Sequence, residues 1–214
     1  PEGMEDRFEH LPLECSHLYL AIEGKLAAVI CVEDPLREEA ADAVRELKEA
    51  GITKVVMMTG DSERTAAAIA KRVGVDEYYS EVLPEDKASF VEKEKELGHK
   101  VIMIGDGIND SLALSSASVG IAISDGAAIA REIADVTISA DNLHEIVTLK
   151  RLSTALMKRL HNNYRTIIGI NGGLIALGVT GIIMPTTSAL LHNMSTLTIS
   201  LRSMRNLLPK EEEA

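Results

Sequence analysis

The chain has 214 residues, of which 46% are hydrophobic, and a formal net charge of -11 at pH 7. This content suffices for the core of one domain or two small ones, and no nucleic-acid partner is expected. The only cysteines, Cys15 and Cys31, form no C-x-x-C pair, which argues against a zinc or redox site. Between Lys150 and Lys210 there are basic residues but no Asp or Glu, so we expect two parts in different environments.

The first predicted elements are a hairpin and a helix. Two apolar runs, 18–22 and 26–32, surround a tight turn at Gly24 and predict a β-hairpin. Asp34 before Pro35 is a helix-start signal, in which Asp34 can act as a simple cap. The apolar face of that helix is predicted at Ala40, Ala43, Val44 and Leu47.

Short apolar segments then alternate with helical patterns. Strands are predicted at 54–58, 77–82, 101–104, 119–123 and 135–139, and helices at 65–73, from 84 to about 97, from 109, and at 127–133. This alternation predicts an α/β fold, a doubly wound, mostly parallel Rossmann-like sheet. Ligands of such sheets bind at the carboxyl ends of the strands.

One strand end carries the strongest chemical signal. Residues 105–110, Gly-Asp-Gly-Ile-Asn-Asp, follow a buried strand and precede a helix. Asp106 and Asp110 can face one Mg²⁺ there, while Asn109 offers an amide to a substrate oxygen. The alternative is a plain βα turn capped by Asn109. A dinucleotide-binding turn is disfavoured because Asp110 replaces the third glycine of G-x-G-x-x-G.

A second group of polar residues should lie at the same edge of the sheet. Thr59, Gly60 and Asp61 follow another predicted strand. Lys87 lies at a helix N-terminus, where a positive charge opposes the helix dipole, and a phosphate partner would explain its position. Singly, Thr59 can be a capping residue and Lys87 a solvated charge. Together with Asp106 they favour phosphoryl transfer.

The last third of the chain has a different pattern. A long helix over 142–164 leads into the uncharged stretch 166–184, about long enough to cross a bilayer, and a second helix is predicted over 186–208. Basic residues flank the pair, so both ends should be cytoplasmic. We predict a transmembrane α-helical hairpin. The alternative, two buried helices of a soluble bundle, is weakened because the first stretch has no polar stripe.

Polar residues within the second helix predict a metal path. His192, Asn193 and Ser195 would be costly in a membrane and would therefore be functional. An imidazole, an amide and a hydroxyl suit a borderline cation such as zinc, cobalt, nickel or manganese, while Met194 keeps copper(I) open. A helix-packing role for Asn193 and Ser195 is the alternative.

These motifs resemble those of a known family. The run 59–61, Lys87 and the run 105–110, in this order, resemble motifs two, three and four of the haloacid dehalogenase-like phosphotransfer fold. Residues 34–37, Asp-Pro-Leu-Arg, and the helical hairpin narrow the resemblance to P-type ATPases. The runs 107–138 and 191–196 look most like the heavy-metal-transporting branch.

The resemblance is incomplete. The family's Asp-Lys-Thr-Gly-Thr motif, with the phosphorylated Asp, is absent from this sequence, as are the Thr-Gly-Glu and Cys-Pro-Cys motifs. The resemblance therefore implies a C-terminal fragment. Residues 1–32 would end the nucleotide-binding domain, 33–141 would form an incomplete phosphorylation domain, and 142–214 would contain a linker helix and two membrane helices.

The missing motif also affects the sheet. In the fold that the chain resembles, the nucleophile strand is central, between the strand ending at Thr59 and the strand ending at Asp106. Without this strand, we expect one of three outcomes. Residues 55–58 and 101–104 pair directly, another chain supplies the strand, or a gap persists.

The resemblance implies roles for the residues that surround the phosphoryl group. Asp106 would be a direct Mg²⁺ ligand, and Asp110 would support the site. Thr59 and the Gly60 N–H would hold phosphate oxygens, and Lys87 would add a positive charge.

Other roles lie at the edge of this site. Asn109 would donate a further hydrogen bond to the phosphoryl group. Asp61 and Gly60 would lie towards the nucleotide. Asp34 and Arg37 would belong to the hinge between the nucleotide-binding and phosphorylation domains.

The implied function is ATP-driven transport of a heavy-metal cation through an aspartyl-phosphate, with Mg²⁺ and ATP as cofactors. Implied partners are a transition-metal cation, the lipid bilayer and the upstream part of the same protein. The location would be a prokaryotic plasma membrane, with the α/β domain in the cytoplasm. Two alternatives stay open, namely a membrane-anchored phosphatase of the same superfamily and a non-catalytic truncated or split partner.

Overall fold

A computed structural model of the chain describes residues 16–32, 36–105, 108–123, 132–138 and 142–208. The chain divides into two compact units, Pro1–Val147 and Thr148–Ala214. The first unit contains every described strand. The second contains helices alone among its described residues.

The predicted hairpin is confirmed. Strands β1 (Ser16–Ile22) and β2 (Lys25–Val32) pair antiparallel, and Ile22 lies opposite Lys25. The two turn residues, Glu23 (φ 50°) and Gly24 (φ 78°), both have left-handed backbone. Two-residue hairpin loops favour this geometry because its twist matches that of the strands.

The first helix starts later than the sequence suggests. Helix α1 spans Ala40–Glu49, and Ala40 N donates to Arg37 O (3.1 Å) in the turn before it. The expected start at Asp34 and Pro35 lies outside the described residues. Ala40 and Ala43 are buried, whereas residues 37–39, Arg-Glu-Glu, offer no apolar side chain to bury. Helix formation therefore begins where packing can support it.

Two βα units follow, as predicted. Strand β3 (Val56–Met58) leads into helix α2 (Glu63–Val73), and strand β4 (Glu77–Tyr79) leads into helix α3 (Pro84–Glu96). β3 and β4 are parallel. Helix α2 ends at Gly74, whose φ of 79° provides a left-handed cap. Proline occupies the first position of α3, where its missing N–H costs nothing.

The second half of the unit holds a three-stranded parallel sheet. Strand β5 (Ile102–Gly105) pairs with β6 (Val119–Ile123), which pairs with β7 (Val136–Ile138). The helix expected from residue 109 starts as a 3-10 turn (Ile108–Asp110) and continues as α4 (Ser111–Ser116). The core cluster beneath this sheet is formed by Ala88, Val91, Met103, Ala113, Leu114 and Ala122. The helix expected at 127–133 falls mostly outside the described residues.

The strands form separate sheets, because no described strand joins β3 to β5. Val55 O accepts from the amides of Asp76 and Glu77, so the backbone of Val56 and Met58, which alternates with it, faces away from β4. Val101 O accepts from Val119 N in the same way. The backbone of Ile102 and Ile104 therefore faces away from β6. Direct pairing of 55–58 with 101–104, one of the three expected outcomes, is absent from the structure.

The second unit contains most of helix α5 (His144–Val179) and helix α6 (Pro185–Ser203). Within the described ranges, no helix combines the length and apolarity needed to cross a membrane. The predicted transmembrane hairpin is therefore not found. The apolar stretch 166–184 is not one helix, because α5 ends at Val179 and Gly181 (φ 72°) turns the chain.

Candidate active site

The centre of the candidate site is an ion pair between helix α3 and the turn after β5. Lys87 Nζ lies 2.8 Å from Asp110 Oδ1, and the two side chains are only 15% and 11% exposed. A nearly buried ammonium and carboxylate are costly to desolvate and are retained only when paired. The partner that explains Lys87 at a helix N-terminus is thus Asp110. These residues, 23 positions apart, are the first pair of predicted site residues that the fold brings together.

A glycine makes room for Asp110. A Cβ added to Gly105 would meet Asp110 Cβ at 2.6 Å and Asp110 Oδ2 at 2.8 Å. Real Cβ atoms are not found at such distances, so any larger residue would displace the carboxylate. Gly105 therefore belongs to the site by its missing side chain. The sequence placed it in the motif but gave it no role.

The second pair of predicted residues lies beyond β3. Thr59 Oγ1 donates to Asp61 Oδ2 (2.8 Å) and accepts from Asp61 N (3.1 Å). Thr59 N donates to Tyr79 O, and Val82 N donates to Thr59 O (both 3.0 Å). Because Val82 lies two residues before the start of α3, these bonds tie Thr59 to the loop that leads to Lys87. Gly60, between Thr59 and Asp61, is exposed. A Cβ added to Gly60 would meet no atom within 4 Å.

The remaining predicted residues of this unit are less closely associated. Asn109 is exposed in the 3-10 turn next to Asp110. Arg37 is half-exposed and lies 4.0 Å from Glu39. Asp106 and Asp34 fall outside the described residues. The structure therefore joins Lys87 to Asp110 and Thr59 to Asp61, and it leaves the nucleotide and hinge roles as predictions.

The donor chemistry of this strand end fits magnesium. Asp110 is 8% exposed, and a carboxylate is the hard oxygen ligand that Mg²⁺ prefers. Lys87 Nζ contacts Asp110 Oδ1, and no other described cation forms an ion pair with Asp110. The Asp110 carboxylate could contribute an oxygen to a bound Mg²⁺, which would supply positive charge to a phosphoryl group. Within the described ranges, there is no group of three or more His, Cys, Asp or Glu side chains that could hold a metal ion.

In the second unit, the predicted metal ligands have other contacts. His192 Nδ1 lies 2.8 Å from Asn171 Oδ1, which joins α6 to α5. Ser195 Oγ donates to His192 O (2.8 Å), so this hydroxyl is used within its own helix. Sequence reasoning missed Asn171 as a partner. The available signal was that Asn171 is the only amide side chain in the uncharged stretch 166–184.

The fold and this site define an α/β protein in which polar residues gather beyond the carboxyl ends of parallel strands, where such folds bind ligands. Residues 2–118 match the family described as haloacid dehalogenase-like hydrolase. The chain therefore belongs to the haloacid dehalogenase-like hydrolase family.

Similar proteins narrow the relationship. The chain is 36% identical over 189 residues to the zinc-exporting P-type ATPase of Mycobacterium marinum, covering 88% of this chain and 26% of the relative. It is 44% identical over 176 residues to copper-transporting ATPase 2 of Rhizobium meliloti, covering 82% of this chain and 21% of the relative. The chain is thus homologous to heavy-metal P-type ATPases and spans about a quarter of their length.

A solved structure has the same fold. The crystal structure of a zinc-transporting PIB-type ATPase in the E2.Pi state matches 97% of this chain and 33% of its own chain, with 30% identity and a TM-score of 0.82. The matched part includes the α/β unit that carries Lys87 and Asp110. The predicted relationship to heavy-metal P-type ATPases is therefore confirmed as homology.

Proposed function

We propose that the chain is the magnesium- and phosphate-binding part of an ATP-driven heavy-metal transporter. The observation that carries this proposal is the nearly buried pair of Lys87 and Asp110, beyond the end of a parallel strand. A phosphoryl group is polyanionic and is stabilised in its transfer mainly by positioned positive charge. Lys87 supplies such a charge at the edge where ligands of this fold bind.

The chemistry would proceed in two steps. A carboxylate oxygen of an Asp outside this chain attacks the γ-phosphorus of ATP, and ADP leaves as the aspartyl-phosphate forms. Water then attacks the phosphorus and releases inorganic phosphate. In this proposal Asp106 and Asp110 hold Mg²⁺, and the Gly60 N–H and Asn109 donate to phosphate oxygens. Thr59 Oγ1 also donates to a phosphate oxygen, and for this its hydrogen turns away from Asp61 Oδ2. Lys87 neutralises charge on the phosphate oxygens.

Three further residues would serve the nucleotide and the hinge. We place Asp61, which accepts a hydrogen bond from Thr59 Oγ1, on the nucleotide side of the site. Asp34 and Arg37 would lie in the hinge before α1. The nucleophile would arrive on a strand from upstream sequence and would pair with the outer edges of β3 and β5, which pair with no other described strand.

The transported cation would be a transition metal. One relative is named as a zinc exporter and another as a copper transporter, so the relatives' names do not single out one metal. We propose His192 Nε2 as a ligand, because Asn171 engages only Nδ1. Asn193 and Ser195 would complete the path. Transport requires a membrane, and we place the α/β unit of the full-length protein on its cytoplasmic side, where ATP is available.

The proposal is tested by Asp106→Asn in the full-length protein. The change removes a charge from a proposed cation ligand and keeps its shape, so magnesium-dependent turnover should fall at least about a hundredfold while circular dichroism stays unchanged. Turnover at the normal rate would refute the magnesium assignment.

Two assays separate the alternatives. ATP hydrolysis by this chain alone, and after addition of an upstream fragment carrying the Asp-Lys-Thr-Gly-Thr motif, should show activity only in the mixture. Activity of the chain alone on a phosphate ester would instead support a phosphatase. Inactivity in both assays, with binding between the two pieces, would support a non-catalytic partner.

A further inference from the structure

A basic cavity lies between the middle of helix α5 and the end of helix α6, within the second unit. Its volume is about 420 Å³, far above the roughly 15 Å³ of such space that one water molecule needs. Its polar lining residues are Lys158, Arg159, Arg202 and Arg205, with Asn162, Asn163 and Asn206. Neither the metal path nor the phosphoryl-transfer site uses any of them.

One of the four cations has a structural role. Arg159 Nη1 donates to Ser203 O (3.1 Å) and to Arg205 O, and Nη2 donates to Asn206 O (2.8 Å). These carbonyls lie at the end of α6, where a helix carries a negative partial charge. Arg159 neutralises that charge, so the helix end does not repel an anion in the cavity.

The other three cations have no compensating partner among the described residues. The side chains of Lys158, Arg202 and Arg205 make no ion pair and no hydrogen bond with any described residue. No Asp or Glu lies in the described part of the second unit, residues 148–208. Like charges that line one cavity repel each other, and an anion placed between them removes that repulsion.

We propose that this cavity binds the phosphate group of an anionic ligand. Arginine guanidinium groups match phosphate oxygens by two parallel hydrogen bonds, and two of the three free cations are arginines. Asn163 is oriented by its bond from Nδ2 to Ser203 Oγ (2.7 Å), which fixes the wall of the cavity. The phosphate can come from a lipid headgroup or from a small soluble phosphate, because both present the same oxygens.

General charge attraction has to be separated from such binding. The whole chain has a net charge of -11, but the stretch from Lys150 to Lys210 contains Lys and Arg residues and no Asp or Glu. Salt screens charges that lie more than about 10 Å apart, so this basic stretch could attract an anion without a defined site. A loss of binding that is confined to cavity variants therefore distinguishes a site from general attraction.

The experiment uses the full 214-residue chain and two matched double variants. Arg202→Gln with Arg205→Gln removes two cavity charges, and Lys150→Gln with Arg165→Gln removes two charges of α5 that do not line the cavity. One arm titrates inorganic phosphate and follows the backbone amide resonances of residues 202–207. The other measures sedimentation with phosphatidylcholine vesicles with and without phosphatidylglycerol.

Each basic residue near an anionic group contributes about fivefold to binding, so the cavity variant should bind about 25-fold more weakly in at least one arm. The control variant should bind like the wild type. Response to inorganic phosphate identifies a soluble ligand, and response only to phosphatidylglycerol vesicles identifies a lipid headgroup. Shifts of the amide resonances of Thr59 to Asp61 would report phosphate binding to the α/β unit. They are evaluated separately from the shifts of residues 202–207.

The proposal would be overturned by no binding in either arm, or by equal losses in both double variants. Folding is controlled by the Lys158→Gln variant, which leaves the end of α6 intact. It should bind about fivefold more weakly with unchanged helical circular dichroism. If the wild-type affinity persists in Lys158→Gln and in the cavity double variant, the cavity does not bind phosphate.

Discussion

At the scale of single residues, the ion pair between Lys87 and Asp110 is the most consequential contact. Replacing Lys87 by Met should leave Asp110 nearly buried without its counter-ion. We expect a loss of about 1–3 kcal/mol in the free energy of unfolding, less than for a fully buried pair because both side chains retain some exposure. Urea unfolding of Lys87→Met against Lys93→Met, an exposed lysine of the same helix, measures the difference.

Magnesium provides a second readout of this variant. Because the ion can replace the missing ammonium charge beside Asp110, millimolar Mg²⁺ should raise the melting temperature of Lys87→Met more than that of the wild type. Lys93→Met should respond like the wild type. Equal stability of the two lysine variants would show that the ion pair contributes nothing.

The sequence predicted which residue types gather at the strand ends, but not how they pair. The phosphate expected near Lys87 stays a prediction, and nothing in the sequence indicated that Lys87 pairs with Asp110, 23 positions away. That pairing depends on how α3 packs against β5, which no local pattern encodes. The contact between His192 and Asn171 was missed for the same reason. Asp106 and Asp34 lie outside the described residues, and their roles stay predictions.

At the scale of elements, Asp76 joins the ends of four of them. Its Oδ1 lies 2.7 Å from Lys48 Nζ, and its Oδ2 accepts from Val55 N (2.8 Å). Lys48 Nζ also donates to Gly74 O (2.9 Å). The hydrogen bond from Lys48 and that from Val55 N lower the pKa of Asp76. The carboxylate thereby connects α1, the end of α2 and the starts of β3 and β4.

This lowered pKa predicts how stability depends on pH. The contribution of Asp76 should be complete above its ordinary unfolded pKa of about 4 and should be lost as pH falls through the lower folded value. Asp76→Asn should therefore be less stable than the wild type at pH 7, with the difference shrinking below pH 4. Asp76→Ala, which also loses the acceptor for Val55 N, should be less stable still. A difference independent of pH would contradict the assignment.

The elements themselves were largely predictable. Hairpin and βα alternation follow from apolar periodicity and from Gly24, Gly74 and Pro84, whose backbone preferences act locally. The errors concern boundaries. Helix α1 begins at Ala40, where burial starts, and α5 ends at Val179 within an apolar stretch. Hydropathy gave no sign of the turn at Gly181, so one continuous membrane helix was predicted where the structure ends a helix.

At the scale of the whole molecule, the main feature is that one edge of β3 and one edge of β5 pair with no described strand. The backbone amides of Val56, Met58, Ile102 and Ile104 face these edges, so hydrogen exchange should be fast there. Met57 and Met103, which face β4 and β6, should exchange more slowly. Addition of an upstream fragment that carries the missing strand should protect all four edge amides. Full protection in an isolated monomer would mean that the sheet has closed by direct pairing.

The contacts of Arg159 also have a mechanical consequence. The Arg159 guanidinium donates to the carbonyl of Ser203, the last residue of α6, and to two carbonyls beyond it. Asn163, one turn further along α5, donates to Ser203 Oγ. Sliding or rotating α6 along α5 by even one residue would break all of these bonds together. These hydrogen bonds therefore couple the two helices at this end. A movement of α5 at Arg159 should move the end of α6 with it.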